Sequence, residues 1–259
     1  MASNMNSFLK NICQTLVCIF IFNFFAFAQT TAETVLKWRD ARDFTIEGKG
    51  WTETETANFY GRLPARAEKT VRPEVWRLAM NSAGISIGFV TDADSISVRW
   101  RLRSPNAALW NMTAAAMSGV DLYVRENGRW LWAGVGKPDK SSLNEQKILA
   151  NISLPRRKRE FRLYLPLYNG VETVEIGLPP DAAAEKIPAA GENIKPLVFY
   201  GTSIVQGASA TRAGMAYPSI LGRRLNRSVV NLGFSGNGRM EVELAALLAE
   251  IDAAAYVID

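Results

Sequence analysis

Apolar and polar positions follow two different patterns along the chain. Between Trp38 and Pro180 they alternate in short runs. The stretches 84–90 (GISIGFV), 95–102 (SISVRWRL), 120–136 (VDLYVRENGRWLWAGVG), 159–167 (REFRLYLPL) and 171–178 (VETVEIGL) each read as strands. Asn127-Gly128 falls between two apolar runs, and a type I′ hairpin turn needs φ > 0 at both central residues. Several short strands with turn residues between them predict an all-β sandwich over residues 34–180. Residues 181–196 belong to a Pro/Ala/Gly-rich stretch and are expected to be a linker. From Leu197 the pattern changes. Apolar runs at 197–200, 229–234 and from Ala254 alternate with helices predicted near 215–225 and 239–251. Tyr217-Pro218 suits a helix start. Met240, Leu244, Leu247, Leu248 and Ile251 share one helical face. Strand–helix–strand–helix–strand predicts a parallel α/β layout over 197–259. The fold class is therefore two-domain: an all-β sandwich followed by an incomplete α/β domain. Three strands with two helices are expected to leave a sheet edge bare and both faces partly uncovered.

The first residues have a pattern of their own. Lys10 precedes an apolar run from Leu16 to Phe27, interrupted by Asn23, and Ala26-Phe27-Ala28 forms a small-x-small site. Residues 1–28 are read as a signal peptide cleaved after Ala28. The alternative, a membrane anchor, is disfavoured because the run falls short of the ~20 apolar residues a span requires. A secreted or periplasmic, bacterial location is expected, with no membrane partner after cleavage. Both cysteines, Cys13 and Cys18, fall inside this segment and the chain has no histidine. Disulfides, thiolate chemistry, zinc or haem sites and other cofactors are not expected in the mature chain. The net charge of +5 is modest. Its one dense cluster, Arg156-Arg157-Lys158-Arg159, is read as a solvated turn, so no nucleic-acid partner is expected. Nothing in the sequence indicates an oligomeric state.

Candidate chemistry sits in the two glycine-rich loops that follow the first two strands of the α/β half. Ligands of parallel α/β sheets bind outside the carboxyl ends of the strands. One loop, YGTSIVQGA, presents Ser203 next to a helix start; the other, NLGFSGNGRME, brings Gly233, Gly236 and Gly238. Ser203 suits a nucleophile or a helix cap. The glycines suit an oxyanion hole or tight turns. A dinucleotide loop is a third reading, with Asp259 at the end of the next strand. Its glycine order, G-x-x-G-x-G, is the wrong one, and a secretory signal also counts against it.

The two loops resemble the first and second blocks of the SGNH (GDSL-like) hydrolases, in the branch with Gly-Thr-Ser in place of Gly-Asp-Ser. SGVDLY (118–123) resembles the GxDLY motif of the N-terminal domain attached to that branch. The resemblance implies a three-layer, flavodoxin-like α/β domain and a secreted esterase acting on O-acyl groups, acetyl among them, of carbohydrate or another small ester. It implies Ser203 as nucleophile, with the Ser203 and Gly236 backbone N–H groups holding the oxyanion. The family's asparagine donor and its D-x-x-H block have no counterpart here, so the chain is expected to be C-terminally truncated and inactive or nearly so. No lysine substitutes as a base; Lys195 is expected at the opposite end of the strand. Trp130 and Trp132, on one strand face, are assigned to the sandwich core in preference to a sugar platform. Asp121 is read as a structural hydrogen-bonding acid or a site residue. A competing function is a non-catalytic carbohydrate-binding sandwich with a vestigial α/β stub.

Overall fold

The alternation seen in the sequence builds a sandwich. In the computed structural model, which describes residues 35–52, 55–139, 142–150, 156–187 and 194–259, the first half contains β1 (Lys37–Asp40), β2 (Thr45–Glu47), β3 (Ser86–Thr91), β4 (Ile96–Leu102), β5 (Val120–Glu126), β6 (Arg129–Gly136), β7 (Leu143–Leu149), β8 (Arg159–Tyr164), β9 (Val171–Leu178) and β10 (Glu185–Lys186). One antiparallel sheet runs β1-β9-β4-β7. The other runs β10-β3-β8-β5-β6, with β2 also on β3. Their inner faces meet through Ile87 and Phe89 of β3, Val98 and Trp100 of β4, Leu122 of β5, Phe161 and Leu163 of β8, and Ile176 of β9, all buried. Asn127 and Gly128 have φ of 49° and 77°, as the predicted hairpin demands. The expected signal peptide, 1–28, lies outside the described residues.

Two expectations need correction. Ala182 is part of the sandwich core, and Glu185 and Lys186 pair with Val90 and Phe89. The sandwich thus runs past Pro180 into the predicted linker, whose residues 188–193 lie outside the description. Nor do Trp130 and Trp132 fill the sandwich core. Trp132 is 53% exposed, and Trp130 packs with Tyr123, Tyr164, Ala213 and Ala216. The period-2 alternation of β5 and β8 explains where that cluster sits. Leu122 and Leu163 point inward, so Asp121, Tyr123 and Tyr164 point out of the sandwich toward the second half of the chain.

That second half is a three-stranded parallel sheet, β12-β11-β13, made of β11 (Leu197–Gly201), β12 (Val229–Gly233) and β13 (Ala255–Ile258). One face carries Phe199, Val205 and Val229 against Tyr217 and Leu221 of a helix, 217–225. The other face shows Val198, Tyr200, Val230 and Leu232. It is covered by Leu244, Leu247 and Ile251, and also by Trp51, Leu63, Ala67, Val71, Val75 and Leu78 from far upstream. This upstream roof includes α1 (Pro73–Ala79), which starts with Pro at its first turn. The remaining helices are α2 (Ala114–Met117), α3 (Ser203–Gln206), α4 (Tyr217–Leu225) and α5 (Val242–Leu248). The expectation of partly bare faces is therefore corrected for β11 and β12, because Trp51 and residues 63–79 complete the α/β core. Only β13 stays exposed along its length. Residues Leu36–Asp259 form one compact unit. Among the described residues no helix is long and apolar enough to cross a membrane.

Candidate active site

Ser203 stands where a buried strand turns directly into a helix. β11 ends at Gly201, Thr202 follows, and Ser203 opens α3, a single turn that Gly207 closes at φ 108°. The Ser203 carbonyl accepts from the N–H of Gly207 at 3.0 Å and of Ala208 at 2.8 Å, and from the Tyr168 hydroxyl at 3.3 Å. Tyr168 belongs to the loop after β8, so the sandwich half reaches the serine directly.

Gly201 lies opposite Gly233 in the parallel register of β11 and β12. Ser203 and Gly236 consequently follow neighbouring strand ends. The two loops are tied to each other. Phe234 N–H donates to the Gly201 carbonyl at 2.9 Å. Ser235 N–H donates to Gln206 Oε1 at 2.9 Å, while Gln206 Nε2 donates to the Leu167 carbonyl at 3.1 Å. Gln206 is fully buried, so one side chain joins both loops to the sandwich. Gly238 packs so tightly that a Cβ would lie 2.2 Å from the Gly201 carbonyl oxygen. Gly236 differs: it has φ 67° and open space where a Cβ would point. No other described residue engages the N–H of Ser203 or of Gly236.

Behind the loops lies Arg62, which sequence reasoning did not single out. Its side chain is buried, and its guanidinium donates to the carbonyls of Asn231 (3.1 Å), Gly233 (2.7 Å), Leu78 (2.7 Å) and Asn81 (3.0 Å). Burial lowers its pKa to about 9, so it remains cationic at neutral pH. It sits 5.0 Å from the Phe234 ring centroid. Arg72 holds the far end of the second loop. It donates to Asn237 Oδ1 at 2.7 Å, to the Asn237 carbonyl at 3.0 Å, and to Glu241 at 2.8 Å. Burial raises the Tyr168 pKa, and the Ser235 hydroxyl draws it partly back down. Tyr168 and Ser235 line a cavity of about 600 Å³, with Asn81, Arg103, Asn106 and Asn169 among its other walls. Ser203 and Gly236 do not line it themselves.

Other candidates fall elsewhere. Lys195 pairs with Asp252 at 2.6 Å, before β11 begins and so at the end away from Ser203. The Ser203 hydroxyl has no hydrogen-bond partner among the described residues. Asp121 is fully buried and accepts from Gly214 N–H and Trp132 Nε1, each at 2.9 Å. It is the structural acid of the two readings above. Each residue of the 156–159 cluster meets a carboxylate: Arg156 meets Asp92 and Asp181, Arg157 and Arg159 meet Glu126, and Lys158 meets Glu185.

Residues 36–184 match the GxDLY family, the N-terminus of SGNH-hydrolase-type esterases, and residues 194–259 match the GDSL-like lipase/acylhydrolase family. The chain belongs to the SGNH hydrolases that carry a GxDLY domain. A GDSL-like lipase from Bacteroides ovatus ATCC 8483 is 39% identical, with a TM-score of 0.79 over 87% of this chain and 64% of that one. The salicylyl-acyltransferase SsfX3 from a tetracycline biosynthetic pathway has a TM-score of 0.61 at 17% identity, over 85% of this chain and 60% of that one. The second likeness is one of fold alone. The chain spans less than two thirds of the length of either structure. No curated protein matches it.

Proposed function

We propose that Ser203 is the nucleophile position of a secreted ester hydrolase acting on O-acyl groups of carbohydrate. The observation that carries this reading is the pair of unengaged N–H groups, of Ser203 and Gly236, following adjacent parallel strand ends. Such donors are what a developing oxyanion needs. The amide- and hydroxyl-rich walls of the 600 Å³ cavity beside Ser235 suit a hydroxylated ligand.

A serine hydroxyl at neutral pH is a poor nucleophile without a base beside it, and this sequence has no histidine. Loss of a full triad lowers turnover roughly a million-fold. We therefore propose that the 259-residue chain by itself is close to inactive. The test is hydrolysis of 4-nitrophenyl acetate and of acetylated xylan by the protein purified from its native source, beside its Ser203→Ala variant. Loss of about 10⁴-fold or more in the variant is expected; unchanged turnover would overturn the assignment of Ser203. The 259-residue chain produced alone should match its own Ser203→Ala variant. Serine-dependent turnover there would overturn the proposed inactivity. The absence of histidine also supports the second reading, a carbohydrate-binding module. Saturable sugar binding by the chain with no ester turnover from the native protein would favour it.

A further inference from the structure

A second cavity, of about 430 Å³, opens between the β5–β6 hairpin and α4. Tyr123, Arg129 and Trp130 line it from the sandwich side; Arg212, Arg223 and Arg224 line it from the α/β side. No carboxylate is among its lining residues. Met215 and Ile220 add apolar wall. Ile220, Arg223 and Arg224 stand at helical spacings of three and four on α4, which places them on one face.

The polar atoms here are unusually short of partners. Tyr123 OH, Trp130 Nε1, Arg212 Nε and Arg223 Nη1 are all buried and have no hydrogen-bond partner among the described residues. Tyr123 is only 4% exposed. Buried donors in native proteins are almost always satisfied, and these four all belong to residues of one cavity. Arg212 approaches Asp121 at 3.2 Å, in a geometry that makes no hydrogen bond. Arg129, Arg223 and Arg224 make no ion pair among the described residues. Arg223 lies 3.9 Å from the Tyr123 ring centroid and 5.2 Å from that of Tyr164, so its guanidinium is held in place by stacking. Arg212 has Asp121 as counter-charge, but the other three like charges around the hollow repel one another, and an anion placed between them relieves that cost. Planar guanidinium forks suit oxyanions, which they bind in pairs of parallel hydrogen bonds.

We propose that this cavity binds a small organic ligand through a carboxylate, sulfate or phosphate group. The volume falls within the range of small-molecule sites. The proposal does not rest on the role of Ser203, because none of the residues that carry that reading lines this cavity.

The test is isothermal titration of the full chain at low salt with glucuronate, glucose 6-sulfate and glucose 6-phosphate, and with glucose as the neutral control. Saturable binding of at least one acidic sugar and none of glucose is expected. Removing one charge-assisted contact should weaken that binding about tenfold to a hundredfold. Arg223→Gln tests this directly, but it also removes the stacking on two tyrosines. Arg224→Gln and Arg129→Gln change exposed residues, and their thermal melts should match the parent. Absence of binding by all three acids would overturn the proposal. So would equal binding of glucose, or binding untouched by Arg224→Gln and Arg129→Gln together.

Discussion

The carboxylate of Asp121 accepts a hydrogen bond at 2.9 Å from the backbone N–H of Gly214, 93 residues away in sequence. It thereby gives the Gly-x-Asp-Leu-Tyr motif a physical meaning. On one short strand, Leu122 enters the sandwich core while Asp121 and Tyr123 turn outward to grip the α/β lobe. Asp121→Ala would leave the buried N–H of Gly214 without an acceptor and Arg212 without its counter-charge. Arg212 keeps a quarter of its side chain in solvent, so a loss of about 2–4 kcal/mol is expected, toward the low end for a broken buried pair. Urea unfolding measures it; a loss under about 1 kcal/mol would mean that the motif does not act as a clamp.

Arg62 serves four backbone carbonyls at once. Arg62→Met should cost about 3 kcal/mol or more, because the carbonyls stay buried without donors. Arg62→Lys should recover little of this, since one ammonium cannot reach four divergent acceptors. A lysine variant as stable as the parent would contradict the account.

Gly236 and Gly238 sit two residues apart and should respond differently. Gly236→Ala meets only the strain of positive φ, about 1 kcal/mol. Gly238→Ala drives a methyl into the Gly201 carbonyl and should be markedly more destabilising. Similar melting temperatures for the two variants would refute the packing described for this loop.

Glu241 sets an acid limit on the second loop. Burial raises its pKa, but the Arg72 ion pair and the hydrogen bonds from Arg239 N–H and Tyr200 OH outweigh burial and hold it below its ordinary 4.5. The folded value is the lower one, so the stabilisation is present above about pH 4.5 and fades as pH falls through the window beneath it. The stability difference between parent and Glu241→Gln should shrink on acidification through that window. A constant difference would show that Glu241 gains nothing from its partners.

Residues 194–259 made alone should not fold cooperatively. Their sheet would lose the cover of Leu63, Val75 and Leu78, each worth about 1.5–3 kcal/mol when fully buried. A sharp thermal transition in that fragment would overturn this.

The sequence showed the parts of the fold whose rules are local. Strand alternation, the Asn127-Gly128 turn and the loop after β11 all depend on neighbours within a few residues. The roof over the α/β sheet did not show, because Trp51, Leu63 and Val75 find their partners in Val198, Val230 and Leu244. Nothing in the spacing of those apolar residues says which distant sheet they cover. Arg62 left no trace either: its acceptors are main-chain carbonyls, which every residue type offers. For Trp130 and Trp132 the period of two correctly put both on one face. It could not say that the outer face of this sheet is covered as well, by the α/β half. The two loops that carry Ser203 and Gly236, the residues of the proposed site, were legible as glycine-rich loops after β11 and β12. Gln206, which joins those loops to the sandwich, carries no such signal, because in sequence a buried amide looks like any other loop residue.

The upstream roof also has a consequence for the order of synthesis. Residues 51–79 emerge from the ribosome well before β11, with roughly a hundred residues in between. At ~10 residues per second that is a delay of about ten seconds. Through that interval Leu63, Val71, Val75 and Leu78 have no sheet to cover, and the sandwich itself can close only near its end, once β8, β9 and β10 have emerged. The nascent chain therefore carries an apolar flap that waits for its sheet, and translation speed or a chaperone that shields the flap should govern how much protein reaches the native state.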